Sequence, residues 1–411
     1  MNKTKLNPQQ RGYKKAVAGV IITGAAAFSM EYCLQPVISK IAVTFLLNPA
    51  QASIAVSAAM LGMALTLLVL TSFTGQLPRR KMLAGSLAVS SLVLFTAGMV
   101  QSFAAVVALR FVQGCILALV PVLSMAYVNE EFAPENTGFG IGMYVCGTTL
   151  GGLSGRILTS ILTDYTGWQH AVMCLSLLTV AAGAAVWFLL PQEHNYVRKH
   201  SKGFNTEIFA KENKKLFLLC SAAFFMMGSF VSVYNFITYV LTDAPYNLSQ
   251  SVIGFLFAVQ LFGTFSSAAA GKFTARYGSG SVISFCLLLL AAGAGITVHH
   301  LLVIKIIGLA ILTIGLFGAH ASASGWCGQL VKNGKAAAGS LYMFCYYSGA
   351  SILGSLGGIF YGSFGWGGVA AMSALAALLA FAVVRLVMAE HAVLCAGCKK
   401  LTNIICRIGY N

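Results

Sequence analysis

PQEHNYVRKHSKGFNTEIFAKENK, residues 191–214, is the one long polar stretch in a chain that otherwise alternates apolar runs with short connections. On either side of it lie six runs of about 20 apolar residues, the length at which a helix crosses a hydrocarbon core roughly 30 Å thick. Before it the runs are 16–37, 52–74, 82–100, 103–128, 139–163 and 171–190; after it they are 215–242, 251–270, 281–298, 301–331, 338–362 and 367–388. The pattern predicts an all-α membrane protein with twelve transmembrane helices. Its expected parts are residues 1–190 with the first six spans, a linker at 191–214, residues 215–388 with the second six, and a tail at 389–411.

Composition supports lipid as the main solvent. Of 411 residues, 58% are hydrophobic and only 9% charged, with a mean hydropathy of +0.82. A soluble chain carries about 25% charged residues, so soluble, collagen-like, disordered and disulfide-rich secreted classes are excluded together. The net charge of +16 would suggest nucleic acid in a soluble chain. Here most Lys and Arg fall on one side of a twelve-span layout, in the N-terminal tail, Arg79-Arg80-Lys81, the linker, Lys272 with Arg276, Lys332 with Lys335, and the C-terminal tail. By the positive-inside rule both termini are cytoplasmic, and the charge is a topology signal. A multi-pass protein of a bacterial cytoplasmic (inner) membrane is expected. The basic N-terminal residues lead into a full-length span without a small-residue cleavage site, unlike a signal peptide. Eleven cysteines are mostly scattered through the spans, which argues against an external disulfide framework. Cys395-Ala-Gly-Cys398 with Cys406 lacks the second ligand pair of a structural zinc site.

The two halves repeat one another. Asn48-Pro-Ala-Gln51 precedes span 2 and Asn247-Leu-Ser-Gln250 precedes span 8; Gly167-Trp168 precedes span 6 and Gly365-Trp366 precedes span 12. Gly147, Gly151 and Gly155 lie four apart in span 5, as Gly354, Gly358 and Gly362 do in span 11. Glycines at that spacing share a helix face and let another backbone come close. They predict either tight static packing or a smooth seam along which two bundles rock.

Five further stretches occur in order. They are Arg110-Phe-Val-Gln113-Gly114, Gly151-Gly152-Leu-Ser-Gly155-Arg156, Tyr234-Asn235, Ala319-His320-Ala-Ser-Ala-Ser-Gly325-Trp326 and Tyr346-Tyr347-Ser-Gly349. Together they resemble the major facilitator superfamily, and within it the YnfM-type branch near the twelve-span drug:proton antiporters. The resemblance runs from about residue 16 to 388. It departs from the family at Gly75-Gln-Leu-Pro-Arg79-Arg80-Lys81 and at Ala275, where the acidic residue of the loop signature is missing, and at Leu150-Gly151, where the drug antiporters have Gly-Pro. The resemblance implies two six-helix bundles around a cavity alternately open to each side, lined most closely by spans 1, 4, 7 and 10.

An ionisable group in hydrocarbon is costly, and therefore a functional candidate. Of ten acids, Glu31 alone is well inside a span. At 1.5 Å per residue Glu31 lies roughly 23 Å along span 1, Arg156 about 25 Å along span 5, and Arg110 about 10 Å from the outer end of span 4. The three share a depth, and two readings of them stand open. One is a fixed ion pair holding spans 1, 4 and 5 together. The other is a proton-coupling carboxylate, on which desolvation and a neighbouring cation act in opposite senses. Arg110 and Arg156 could also bind an anionic solute bidentately. His320, beside Ser322 and Ser324, is either a packing residue or a proton relay. Gln35, Gln113, Tyr234, Asn235, Tyr239 and Tyr347 would be expensive against lipid, and a solute cavity accounts for them together. Phe224, Phe225, Met226 and Met227 read as packing, and Glu130-Glu131 as a plain charge pair. No phosphate-binding loop and no paired intramembrane acids occur, so neither a nucleotide site nor a metal-dependent enzyme is indicated.

These observations predict a secondary transporter working by alternating access, without cofactor or metal, as a monomer in the bilayer. Proton-coupled export of a small amphipathic molecule is the leading expectation. A specific carboxylate-bearing metabolite or metallophore, or uncoupled facilitation, are the alternatives.

Overall fold

The computed structural model describes residues 5–70, 77–193, 195, 213–331 and 333–408, with side chains to 389 except at Arg11. Most of the polar stretch 191–214, Gly75, Gln76, Lys3 and Lys332 lie outside these residues. So do the side chains of Cys395, Cys398, Cys406 and the basic tail.

The described chain is helical almost throughout. The helices are α1 (Arg11–Tyr32), α2 (Ile38–Phe45), α3 (Pro49–Leu70), α4 (Arg79–Met99), α5 (Phe103–Leu117), α6 (Leu119–Glu131), α7 (Pro134–Thr166) and α8 (Trp168–Leu189). After the linker come α9 (Lys214–Thr242), α10 (Gln250–Leu256), α11 (Leu261–Tyr277), α12 (Ser279–Ile296), α13 (Leu302–Cys327) and α14 (Lys335–Ile408). Ten stretches among the described residues are long and apolar enough to cross a membrane. Two places account for the difference from the twelve expected. Helix α7 has 33 residues, but its Gly, Ser and Thr runs keep it below the hydropathy of the others. Helix α14 is a single stretch broken at Gly365, whose φ of 62° and ψ of −154° are not helical. It also continues past the expected end at 388.

Several spans are interrupted where proline or local 3₁₀ geometry intervenes. The first consists of α1, a 3₁₀ turn at Gln35–Val37 and α2. Pro36 has no N–H to offer the preceding turn, so the carbonyls that end α1 need other donors.

The helix pairings recur between halves. Helix α1 packs on α7 as α9 does on α14; α3 on α5 as α11 on α13; α4 on α8 as α12 on α14. Across the halves, α3 meets α14 and α7 meets α10. The result is two helical bundles, one from each half. Ile21, Ala25 and Ser29 of α1 offer their backbone to Gly147, Gly151 and Gly155. The same contact recurs 198 residues on (349 against 151), where Gly349 meets the backbone of Phe224. The three glycines of α7 thus hold one bundle together internally and form no seam between bundles. Gly354 likewise faces Val231 and Asn235 of its own half, and Gly362 has nothing near it. Gly358 alone of this set faces the other half, against the backbone of Ala50.

A side chain at Gly151 would run into the Ala25 backbone, which cannot rotate away. Gly151→Val should therefore destabilise the fold by about 2–3 kcal/mol, read as a lower melting temperature and a loss of monodisperse protein on size exclusion. Gly362→Ala is the control; it should leave both unchanged.

Candidate functional site

The basic residues Arg79, Arg80, Lys81, Lys272, Arg276 and Lys335 define one end of the bundle, the basic end. The hydrogen bonds that join the two halves lie toward the opposite, far end. Gln35 Nε2 donates to Asn235 Oδ1 at 3.0 Å, and the Tyr239 hydroxyl donates to the Ile38 carbonyl at 3.4 Å. Ser355 Oγ donates to Ser57 Oγ at 2.7 Å. Asp164, at the end of α7, accepts from the backbone N–H of Gln250 at 3.1 Å and of Ser251 at 2.8 Å, and from the Ser251 hydroxyl at 2.5 Å. A carboxylate of one half thereby caps the free N–H groups that begin a helix of the other. Close packing completes the seal, Gly254 against the Ser160 side chain and Gly358 against the Ala50 backbone.

Below this seal a cavity of about 330 Å³ separates the halves and extends toward Met125, Tyr144 and Met343 in the direction of the basic end. Spans 1, 4, 7 and 10 all contribute to its wall, but span 5, helix α7, lines it more extensively than any of them, from Tyr144 to Arg156. Residues of α7, α11 and α14, including Thr148, Ser267 and Tyr347, line it as well. The wall is aromatic, with Phe28, Tyr32, Phe230, Phe317 and Tyr346. Its described charged or titratable members include Arg156 and His320 and no carboxylate.

Arg156 is the centre of the closed end. Its Nε and Nη2 both donate to Gln35 Oε1, at 2.9 and 2.8 Å, and its Nη1 donates to the Gly152 carbonyl at 2.8 Å. The guanidinium carbon lies 4.2 Å from the Tyr32 ring centroid and 5.1 Å from that of Phe257. Gln35 thus links Arg156 of one half to Asn235 of the other. Tyr234 stands behind this group, its hydroxyl 2.7 Å from Thr313 Oγ1 and its ring 4.6 Å from Phe230.

The expected ion cluster is not formed. Arg110 Nη1 donates to the Met30 carbonyl at 3.0 Å, Nη2 to the Glu31 carbonyl at 2.7 Å, and Nε to the Ala55 carbonyl at 3.3 Å. Nη1 also donates to Gln113 Oε1, and Gln113 Nε2 in turn donates to the Ser90 carbonyl at 3.2 Å. The guanidinium satisfies two of the carbonyls left open where α1 ends, and it pins α1 to α3 and α5; Gln113 extends the network to α4. Arg110 and Gln113 are completely buried and do not line the cavity. Glu31 is 1% exposed, and neither carboxylate oxygen has a hydrogen-bond partner. The fixed ion pair is therefore corrected: Arg110 uses the main chain of Glu31, not its side chain.

His320 makes the contacts of the packing alternative and not those of a serine relay. Its Nδ1 lies 3.0 Å from the Tyr342 hydroxyl and its ring 4.4 Å from that of Tyr346. Ser322 instead lies 3.0 Å from Thr274 Oγ1, and Ser324 is exposed, so the two serines form no relay with it. Met227, expected only to pack, lines the cavity.

Glu130-Glu131 is not a plain charge pair. Arg79 donates Nη2 to Glu130 Oε1 at 2.7 Å and Nε to Oε2 at 3.0 Å, the bidentate form. Buried Glu131 accepts from the backbone and side chain of Asn195, at 2.8 and 3.2 Å. Its own carbonyl accepts from Leu6 N–H at 2.7 Å. Arg80 donates to the Trp187 carbonyl at 2.8 Å. These contacts of the loop arginines lie within the first half. No spacing in the sequence announces them, because their partners come from three distant segments.

Two helical bundles, sealed together at one end around a half-open cavity with a polar floor and aromatic walls, define a membrane carrier. Residues 20–245 match the Major Facilitator Superfamily, and the chain belongs to that family of membrane transporters. It is 32% identical to the uncharacterized MFS-type transporter YybF of Bacillus subtilis, over 90% of this chain and 92% of that one. It is also 32% identical to the inner membrane transport protein YnfM of Escherichia coli, over 90% of each. Among solved structures it is similar in fold to a bacterial homolog of the human lysosomal transporter Spinster, in an inward-facing and occupied conformation. There the TM-score is 0.73 at 14% identity, over 92% of this chain and 97% of that one. The nucleoside transporter NupG is similar as well, with a TM-score of 0.70 at 13% identity over 91% and 98%.

Proposed function

We propose that this chain is a proton-coupled secondary carrier that exports a small amphipathic molecule bearing a carboxylate, by alternating access across a bacterial inner membrane. One observation carries this reading: the cavity wall presents Arg156 among aromatic rings with no described carboxylate, while Glu31, one residue before the wall residue Tyr32, is buried with both oxygens unpaired. A cation without a counter-acid in a partly dehydrated site favours an anionic solute. The guanidinium fork offers a carboxylate two parallel bonds, and Tyr32, Phe230 and Tyr346 offer the rest of the solute an apolar enclosure. An acid with no structural bond to keep is free to gain and lose a proton. Both termini are placed in the cytoplasm on the distribution of basic residues, so the cavity is open inward, where a solute for export would load. The outward direction rests on the resemblance to drug:proton antiporters. The carrier is taken to act as a monomer.

The test is proton movement in proteoliposomes holding a trapped pH dye, with cationic, zwitterionic and carboxylate solutes added in turn. Carboxylate solutes should evoke the signal, with a sign that reports antiport. A response to cationic solutes alone sinks the substrate class, and transport with no proton signal leaves an uncoupled facilitator. Arg156→Lys should weaken binding of carboxylate solutes by roughly tenfold, because an ammonium cannot reproduce the planar fork. Neutral solutes should bind it unchanged, as measured by isothermal titration.

A further inference from the structure

Helices α11 and α12 are joined by a single residue, Gly278, whose φ of +80° allows the chain to reverse there. Close neighbours in sequence, they nonetheless pack mainly on α13 and scarcely on each other. The space left between them is an outward-facing groove of about 560 Å³. Ala269 and Ala270 keep one wall low and Ile314 of α13 forms the floor. Phe273 and Phe285 stand at the two lips, 53% and 62% exposed, and Tyr277 closes the groove at the basic end. Nearly all of the lining is apolar. In a membrane this groove faces hydrocarbon, where water gains little and a flexible alkyl chain fills the space.

Charge identifies what the alkyl chain belongs to. Lys272 and Arg276 lie one turn apart on α11, beside the closed end of the groove, and both are exposed. Neither forms an ion pair among the described residues. The Arg276 guanidinium carbon lies 5.2 Å from the centroid of the Tyr277 ring that closes the groove. The one acid of the second half with a described side chain, Asp243, ends α9 at the far end. Two unpaired cations at membrane-surface depth, next to a groove of acyl width, match a lipid that carries a phosphate and no compensating cation.

We propose that this groove is a binding site for an anionic phospholipid of the leaflet on the basic side, with one acyl chain between α11 and α12 and the phosphate at Lys272 and Arg276. The site is separate from the solute cavity, and the proposal does not depend on what that cavity carries.

Phe285→Trp puts a fluorophore at the lip. The protein is placed in nanodiscs of phosphatidylcholine doped with acyl-brominated phosphatidylglycerol or, separately, acyl-brominated phosphatidylcholine, and quenching is read against the parent protein. Phosphatidylglycerol should quench at a roughly thirtyfold lower mole fraction, as two cations near the surface would give. Lys272→Gln with Arg276→Gln should equalise the two lipids, and Ala269→Phe, which fills the groove, should reduce quenching by both. Equal quenching of the Phe285→Trp protein by the two lipids means ordinary annular lipid and overturns the proposal. A preference that survives the double charge variant overturns it too, as does release of quenching by a transported carboxylate solute. Native mass spectrometry of the unmodified protein gives a reading free of folding defects: one phosphatidylglycerol should persist after other lipids are stripped, and its absence counts against the site.

Discussion

A Glu31→Gln carrier should exchange labelled solute across a liposome membrane at close to the parent rate and fail to concentrate it when a proton gradient is imposed. The expectation follows from what the side chain does not do. Neither carboxylate oxygen accepts a hydrogen bond, and Arg110 holds the Glu31 carbonyl instead. Replacing the acid with its amide therefore removes no bond that holds helices together, and the folded protein should stay within about 1 kcal/mol of the parent. What it removes is the proposed proton carrier, the one acid that the sequence puts well inside a span. The readouts are counterflow, gradient-driven uptake and melting temperature on the same preparation. If the variant unfolds, Glu31 is a structural group; if uptake against the gradient survives, the proton travels elsewhere.

Arg110 is expected to behave in the opposite way. Arg110→Leu should destabilise the fold severely, because the Glu31 carbonyl and Gln113 Oε1 lose their donor, while the Met30 carbonyl keeps only Cys33 Sγ and the Ala55 carbonyl only its bond within α3. At about 1–3 kcal/mol for each of the two oxygens left unsatisfied, the loss is a large fraction of the stability of a typical domain. Arg110→Lys should rescue little, since one ammonium cannot span acceptors on three helices. Size-exclusion profiles of the expressed variants decide it. A monodisperse Arg110→Leu protein that had lost only transport would return Arg110 to the solute pathway.

The contrast between these two residues shows what a linear reading can reach. Span lengths, the repeat and the depth of Glu31, Arg110 and Arg156 were all legible, because hydropathy and helical rise are local properties. Depth is one coordinate of three, and it could not say which atoms meet. The guanidinium of Arg110 was drawn to carbonyls rather than to a carboxylate because the first span breaks beside Pro36, and a helix end in hydrocarbon needs donors more urgently than an acid needs a cation. Pro36 was the available signal for that. Gly147, Gly151 and Gly155 announced a close approach correctly, but not whether the approaching backbone belonged to the same bundle. The partners of Glu130 and Glu131 come from residues 79, 195 and 6, separations at which no periodicity speaks. Asp164 directly follows span 5 in the sequence, and its cap on α10 depends on a contact between the two halves that no local pattern announces.

Gln35 has a consequence of its own. Its single carboxamide oxygen accepts both donors of the Arg156 fork while its nitrogen reaches Asn235 across the midline. A solute carboxylate that takes the fork must evict that oxygen, and the amide that turns away is the same group that ties one bundle to the other. Occupancy and unlocking would then be a single exchange of partners: the empty carrier keeps its own knot tied, and the cargo undoes it by arriving.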